Sequence, residues 1–283
     1  MPNLERAERR DPARRSPREL TETDSPADRH RLRQTFERVP ELYDRARPVY
    51  PAAVFDDIVS VGRVPDTGRV LEIGCGTGQA TLPLAERGLD VVCVELGADL
   101  AAFTRRKLAA FPNVRIVNER FESWEPDGEF DAVVSFTAFH WIDPEVRFAK
   151  TSRILRRGGA LAVVEPHTVL NDDPFWTEVQ EDYDAVVPSP ENRPPLRAEE
   201  IGDLIDEIDA SGVLRNVAVR RHRWDVRYTA DEYIALIATY SPNLDRDEET
   251  RERLFERIHR RVAKQESMLT TYLATLNVAT TLV

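Results

Sequence analysis

Between residues 69 and 165 the chain alternates between two kinds of segment, and that alternation constrains the fold more than any other feature. Apolar runs at 70–73, 91–94, 114–117, 132–136 and 160–164 are short and unbroken by polar residues. Stretches at 79–87, 99–110 and 144–155 read as helices between them. An unbroken apolar run of strand length marks a strand buried on both faces, which is the condition inside a parallel sheet. Strands that alternate with helices imply parallel pairing with right-handed crossovers. Downstream, 213–224 reads as a strand and the apolar run at 272–282 as a final one. Together these runs predict an α/β fold: a doubly wound, mostly parallel, seven-stranded Rossmann-like sheet.

The second half is looser. Segments 173–187, 197–210, 229–240 and 247–265 have helical character, and a proline-rich loop covers 188–195. Ile201, Leu204, Ile205 and Ile208 share one helical face, with Gly212 as a stop. Helical insertions at about 168–196 and 229–266 are expected to roof a pocket. Residues 1–31 carry mixed charge, several prolines and almost no apolar side chains, which predicts a disordered tail ahead of one domain over 32–283.

Composition removes some classes of partner. The formal net charge is −11, and an acidic chain is repelled by phosphate backbones, so nucleic acid is not expected. No apolar run approaches the length of a membrane span. Cys75 and Cys93 are too few for a disulfide framework, and the N-terminal residues lack the apolar core of a signal peptide. A cytoplasmic enzyme acting on a small molecule is the expectation.

The strongest local motif is Val70-Leu71-Glu72-Ile73-Gly74-Cys75-Gly76-Thr77-Gly78, a strand that runs through three glycines into a helix. Glycine lets the backbone turn sharply and approach a ligand, and the free N–H groups of the next helix face that ligand. Glu95 ends the next strand, where a doubly wound fold places a carboxylate to accept hydrogen bonds from ribose hydroxyls. These features call for a nucleoside-containing cofactor. A dinucleotide fingerprint reads G-x-G-x-x-G/A, but here the third position is Gln79. Glu72 inside the strand would repel a pyrophosphate and suits the cationic amino-acid end of S-adenosylmethionine (SAM). A nicotinamide dinucleotide is the rival reading.

The sequence resembles the type 11 class I SAM-dependent methyltransferases, especially a bacterial subgroup similar to trans-aconitate-type methyltransferases. The likeness rests on Tyr43 with Arg47-Pro48-Val49-Tyr50-Pro51, the 71–78 loop, Gln79-Ala80-Thr81-Leu82-Pro83-Leu84-Ala85 and Val94-Glu95-Leu96-Gly97. It extends to Phe130-Asp131-Ala132-Val133, Phe139-His140-Trp141 and Leu155-Arg156-Arg157-Gly158-Gly159. The resemblance implies methyl transfer from SAM, leaving S-adenosylhomocysteine. It also implies that Gly74, Gly76 and Gly78 line the methionine part of the cofactor, with Cys75 and Leu96 among the other cofactor contacts. Glu95 would hold the ribose, Phe121 would sit at the adenine, Phe136 would be a further cofactor contact, and Tyr43 and Arg47 would close over the cofactor, Arg47 near its carboxylate. Where the family often carries an acid before the adenine position, this chain has Arg120, with Glu122 just after Phe121.

For the chemistry, His140 follows the fourth strand run and His167 the fifth, so both are expected to border the acceptor pocket as candidate bases. An acceptor carboxylate would need no base, and His140 then serves only to orient its loop. Phe139, Trp141, Tyr233 and Tyr240 are candidate acceptor contacts. Aromatic faces near a sulfonium also stabilise its charge. Glu165 and His167 lack a third ligand at metal spacing, so no metal is expected. A carboxylate acceptor could be held by Arg193 or Arg197. The basic run Arg220-Arg221-His222-Arg223-Trp224 reads as an edge strand with outward charges. A SAM-fold protein that does not transfer methyl groups and a dinucleotide oxidoreductase are the alternative functions.

Overall fold

In a computed structural model describing residues 40–189 and 193–281, each of the seven expected strands has a counterpart, with residue 213 left just ahead of its strand. The expected tail at 1–31 lies outside the described residues. Two helices come first, α1 (Pro40–Ala46) and α2 (Ala52–Gly62). Then follow β1 (Arg69–Ile73), α3 (Thr81–Glu86), β2 (Asp90–Glu95), α4 (Ala98–Lys107), β3 (Val114–Asn118) and β4 (Phe130–Phe136). A 3-10 turn at Phe139–Trp141 leads to α5 (Pro144–Ile154) and β5 (Leu155–Val169). The remainder is α6 (Phe175–Val186), α7 (Ile205–Ser211), β6 (Leu214–Tyr228), α8 (Ala230–Ala238), α9 (Ser241–Leu244), α10 (Glu248–Ala263) and β7 (Met268–Thr281).

The strand order is β3-β2-β1-β4-β5-β7-β6. Pairs β1–β2, β2–β3, β1–β4 and β4–β5 are parallel, whereas β7 runs antiparallel to both β5 and β6. From β1 the chain moves to β2 on one side and later returns to β4 on the other. The crevice at this reversal, beyond the carboxyl ends of β1 and β4, is where such sheets bind ligands.

Burial explains the apolar runs. In β1 the residues from Val70 to Ile73 are all buried, and β2 and β4 are buried nearly throughout. One sheet face packs on Val54, Phe55 and Ile58 of α2 and Leu84 of α3. The other packs on Phe148 and Ile154 of α5 and Ile208 of α7. Removing such side chains from water is the main favourable term in folding.

The last three strands extend past this sandwich. Their pairing continues to Val169 with Thr271 and Tyr228 with Met268. A third core forms on this extension, with Phe175, Trp176, Val179, Tyr233, Leu236, Leu254 and Ile258 at its centre. Helices α6, α8 and α10 supply it and form a cap. Arg261 of α10 meets Asp182 and Glu178 of α6, and Arg257 donates to Asp182 at 3.1 Å. Burial pushes the Asp182 carboxyl up, but the two guanidinium groups outweigh it and hold the group below its usual range.

One expected helix is broken. Over 197–210 the chain makes only a 3-10 turn at Ala198–Glu200 before α7 begins. Asp203 accepts from the Ile205 N–H at 3.2 Å, and Leu204 N–H donates to Asn277 of β7 at 3.0 Å. Ile201 is drawn into a small cluster with Val169 and Leu273. Tertiary contacts thus override the helical spacing of the apolar residues.

Candidate cofactor and acceptor site

Gly74, Gly76 and Gly78 all adopt left-handed backbone angles, with φ of 71°, 55° and 77°. Their surroundings separate them. A Cβ on Gly74 would lie 2.6 Å from the Ala138 Cβ, and one on Gly78 would lie 2.9 Å from Thr104 Cγ2. A Cβ on Gly76 would meet nothing within 4 Å. Gly76 instead borders a cavity of about 520 Å³, so its bare backbone faces ligand space.

Glu95 sits beside it, 7% exposed, at the carboxyl end of β2. Its two carboxylate oxygens accept from Gly76 N–H and Gly97 N–H, each at 2.8 Å. This fixes the carboxylate at the cavity wall. Glu119 and Glu122 line the same end, with Arg120 between them. Three carboxylates suit a cationic, ribose-bearing cofactor and oppose a pyrophosphate. The residues present therefore fit SAM and not a dinucleotide.

Glu72 and Cys75 do not reach the cavity lining. Glu72 is 1% exposed and accepts from Thr81 Oγ1 at 2.6 Å and from Cys93 Sγ at 3.7 Å. Burial pushes its carboxyl up to about 7, against the hydrogen bonds from Thr81 and Cys93. Cys75 contacts Cys93, and this hydrogen bond and burial both push its thiol up. The two thiols and the acid thus form a buried support beneath the loop. Gly78 also stands back from the lining.

The arm at 43–50 crosses the opening and is tied at several points. Lys107 Nζ pairs with Asp44 at 2.6 Å. Gln79 Nε2 donates to the carbonyls of Asp44 and Arg47 at 3.2 and 3.4 Å. Arg47 Nε donates to Thr239 Oγ1 at 2.8 Å, and a terminal nitrogen donates to the Thr239 carbonyl at 3.0 Å. The Arg47 guanidinium lies between the rings of Tyr43 and Tyr240, at 4.8 and 4.6 Å. Tyr50 and Thr137 share a hydrogen bond at 3.1 Å.

Most expected site residues meet in this one cavity. Tyr43, Arg47, Gly74, Gly76, Glu95, Leu96, Phe121, Phe136, His140, Trp141, His167, Tyr233 and Tyr240 all line it. Phe139 does not: it is 2% exposed and packs on Phe148 at 5.2 Å. His140 and Trp141 face the cavity together, with ring centroids 5.0 Å apart. Arg193 lines the cavity and Arg197 does not. Among the described residues no group of three His, Cys, Asp or Glu side chains could hold a metal ion, and no helix is long and apolar enough to cross a membrane.

The structure adds residues that sequence reasoning passed over. Tyr50, Thr137, Trp224, Arg246, Thr270 and Tyr272 also line the cavity. Trp224 sits within the expected basic run, where alternation along β6 turns His222, Trp224 and Val226 inward and Arg221, Arg223 and Arg227 outward. His222 is not a solvated side chain, since it contacts Asp57 of α2 at 3.1 Å.

Known proteins agree with this geometry. Residues 70–159 match the family described as "Methyltransferase domain". An uncharacterized methyltransferase of Mycobacterium tuberculosis is 37% identical over 123 residues, which is 43% of this chain and 48% of that protein. The trans-aconitate 2-methyltransferase of Deinococcus radiodurans is 33% identical over 99 residues, covering 35% of this chain and 38% of its own. The chain thus spans about half the length, or less, of these relatives. A solved structure from Anaeromyxobacter dehalogenans, assigned as a type II methyltransferase, overlays with a TM-score of 0.58 at 21% identity, covering 82% of this chain and 97% of that one. Residues 70–159 thus match a methyltransferase domain in sequence, within a strand order and a glycine–acid corner whose lining fits S-adenosylmethionine.

Proposed function

We propose that the chain transfers the methyl group of SAM to a small-molecule acceptor held under the helical cap. One observation carries this reading: a single cavity is lined both by the Gly76–Glu95 corner and by His140, His167 and the cap aromatics. When bound, SAM supplies an electrophilic methyl on a sulfonium, so the protein's task is positioning and exclusion of water.

In this reading Glu95 accepts hydrogen bonds from the ribose hydroxyls, and the backbone at Gly76 leaves room for the methionine portion. The faces of Tyr43 and Trp141 stabilise positive charge nearby. The arm and cap cover part of the cavity. His140 and His167 border the acceptor end, where an imidazole nitrogen can take a proton from a neutral nucleophile.

The test is label transfer. The full chain is incubated with methyl-deuterated SAM and a small-molecule bacterial extract, and products are sought by the isotope shift in mass spectrometry. A labelled small molecule is the expected result. SAM bound with no labelled product would count against transfer and favour a SAM-binding protein without methyltransferase activity.

A further inference from the structure

The two ends of the cavity differ in charge. The cofactor end carries Glu95, Glu119 and Glu122 against one cation, Arg120. At the cap end the charged or titrating side chains other than tyrosine are His167, Arg193 and Arg246, with Arg47 where the arm meets the cap, and among the described residues no Asp or Glu lines it. In a chain with 50 acidic and 39 basic residues, an acid-free wall runs against composition. A cationic acceptor gains nothing from such a wall, and an anionic one gains a partner.

The same end is aromatic. Trp224 stacks on Tyr272, with centroids 5.3 Å apart and planes at 25°. Tyr50 stands 5.0 Å from Phe136 on the adjoining wall. Flat rings of this kind favour a flat ligand, because offset stacking needs two π faces.

The same end also holds hydrogen-bond donors. The indole N–H groups of Trp176 and Trp224 are buried with no hydrogen-bond partner among the described residues, and both side chains line the cavity. An indole can only donate. Burial pushes the hydroxyls of Tyr183, Tyr233, Tyr240 and Tyr272 up, so they too remain protonated and able to donate.

We infer that the cap end binds an aromatic acid, a planar ring bearing a carboxylate or similar oxyanion, with the ring among Trp176, Trp224 and Tyr272 and the anion met by Arg246. The inference rests on the methyl-transfer reading in taking this ligand as the acceptor.

Binding tests it separately from transfer. Calorimetry on the full chain saturated with S-adenosylhomocysteine compares para-hydroxybenzoate, its neutral amide para-hydroxybenzamide, and the non-aromatic acid cyclohexanecarboxylate. The aromatic acid is expected to bind about tenfold tighter than either control. Equal binding of the amide would overturn the anion site, equal binding of the cyclohexane acid would overturn the ring site, and no binding by any probe would overturn both. Arg246→Gln should bring acid and amide to near parity without changing S-adenosylhomocysteine affinity. A retained tenfold preference would remove Arg246 from the proposal. Should that variant fail to fold, the acid–amide comparison in the unaltered chain still decides. An acid that binds but is never labelled would count against methyl transfer while supporting the ligand class.

Discussion

At the carboxyl end of β1 the cavity wall is largely backbone: glycines with left-handed angles and N–H groups aimed at one carboxylate. Under the cap the wall is side chain, with Trp176, Trp224, Arg246 and Tyr272 arriving from four separate elements or loops. The first construction fixes a shape that few substitutions tolerate. The second leaves shape and charge open to change while the scaffold stays. One cofactor paired with variable acceptors is the outcome that difference permits.

The largest expected effect tests whether the two regions are energetically separate. Phe175 is fully buried in the cap core, so Phe175→Ala should cost about 3–5 kcal/mol there. Hydrogen exchange should accelerate across α6, α8 and α10, while S-adenosylhomocysteine affinity stays within a few-fold. A collapse of that affinity would show that cap and cofactor end form one unit.

Within the loop, Gly74→Ala and Gly76→Ala should part company. The first combines a strained angle with a 2.6 Å approach to Ala138 and should destabilise by roughly 2–5 kcal/mol in denaturant titration. The second carries the strained angle alone, about 1–3 kcal/mol, yet should lose most of the cofactor affinity. Equal affinity losses would mean that Gly76 is not a ligand-facing position.

Glu72 sharpens the contrast from beneath. Its folded-state carboxyl titrates near 7, above its unfolded value, so the folded state retains a proton that the unfolded chain gives up. The fold is therefore penalised progressively from about pH 4 upward, and the penalty levels off above about pH 7. Glu72→Gln should remove it, a gain of no more than about 3 kcal/mol at pH 8 and none at pH 4. Chemical denaturation at the two pH values measures this, and a pH-independent gain would refute the cause.

The smallest effect lies where the regions meet. Arg47→Ala removes two hydrogen bonds to Thr239 and the contacts with Tyr43 and Tyr240, worth about 1–2 kcal/mol. Limited proteolysis should then cut the arm faster without lowering the global melting point by more than a few degrees. An unchanged cleavage rate would mean that the arm is held without Arg47.

The same difference explains what the sequence disclosed. Strands β1 to β5, the glycine loop and Glu95 were readable because each signal is local: a run, a spacing, an acid at a strand end. Trp224 was readable in principle from the alternation with His222 and Val226, but the surrounding arginines masked it. Arg246 and Tyr272 carry no local mark, since only the tertiary fold brings them to the cavity. Phe139, which has the look of a pocket residue beside His140 and Trp141, turns inward to Phe148 because a 3-10 turn sends successive side chains in different directions. The reversed direction of β7 was equally hidden, because an apolar run reads the same for a parallel as for an antiparallel strand.

That reversed strand also sets a schedule. β7 lies between β5 and β6 yet follows both along the chain. While the protein is being synthesised, the first five strands can pair as they emerge, but β5 and β6 must wait with unpaired edges until β7 inserts. The glycine-loop end can therefore form early, whereas the cap wall, which needs Tyr272 of β7 against Trp224 of β6, is among the last parts completed. Interrupted synthesis before β7 would leave a sticky, half-built sheet, so it is this late insertion that chaperones would have most reason to protect.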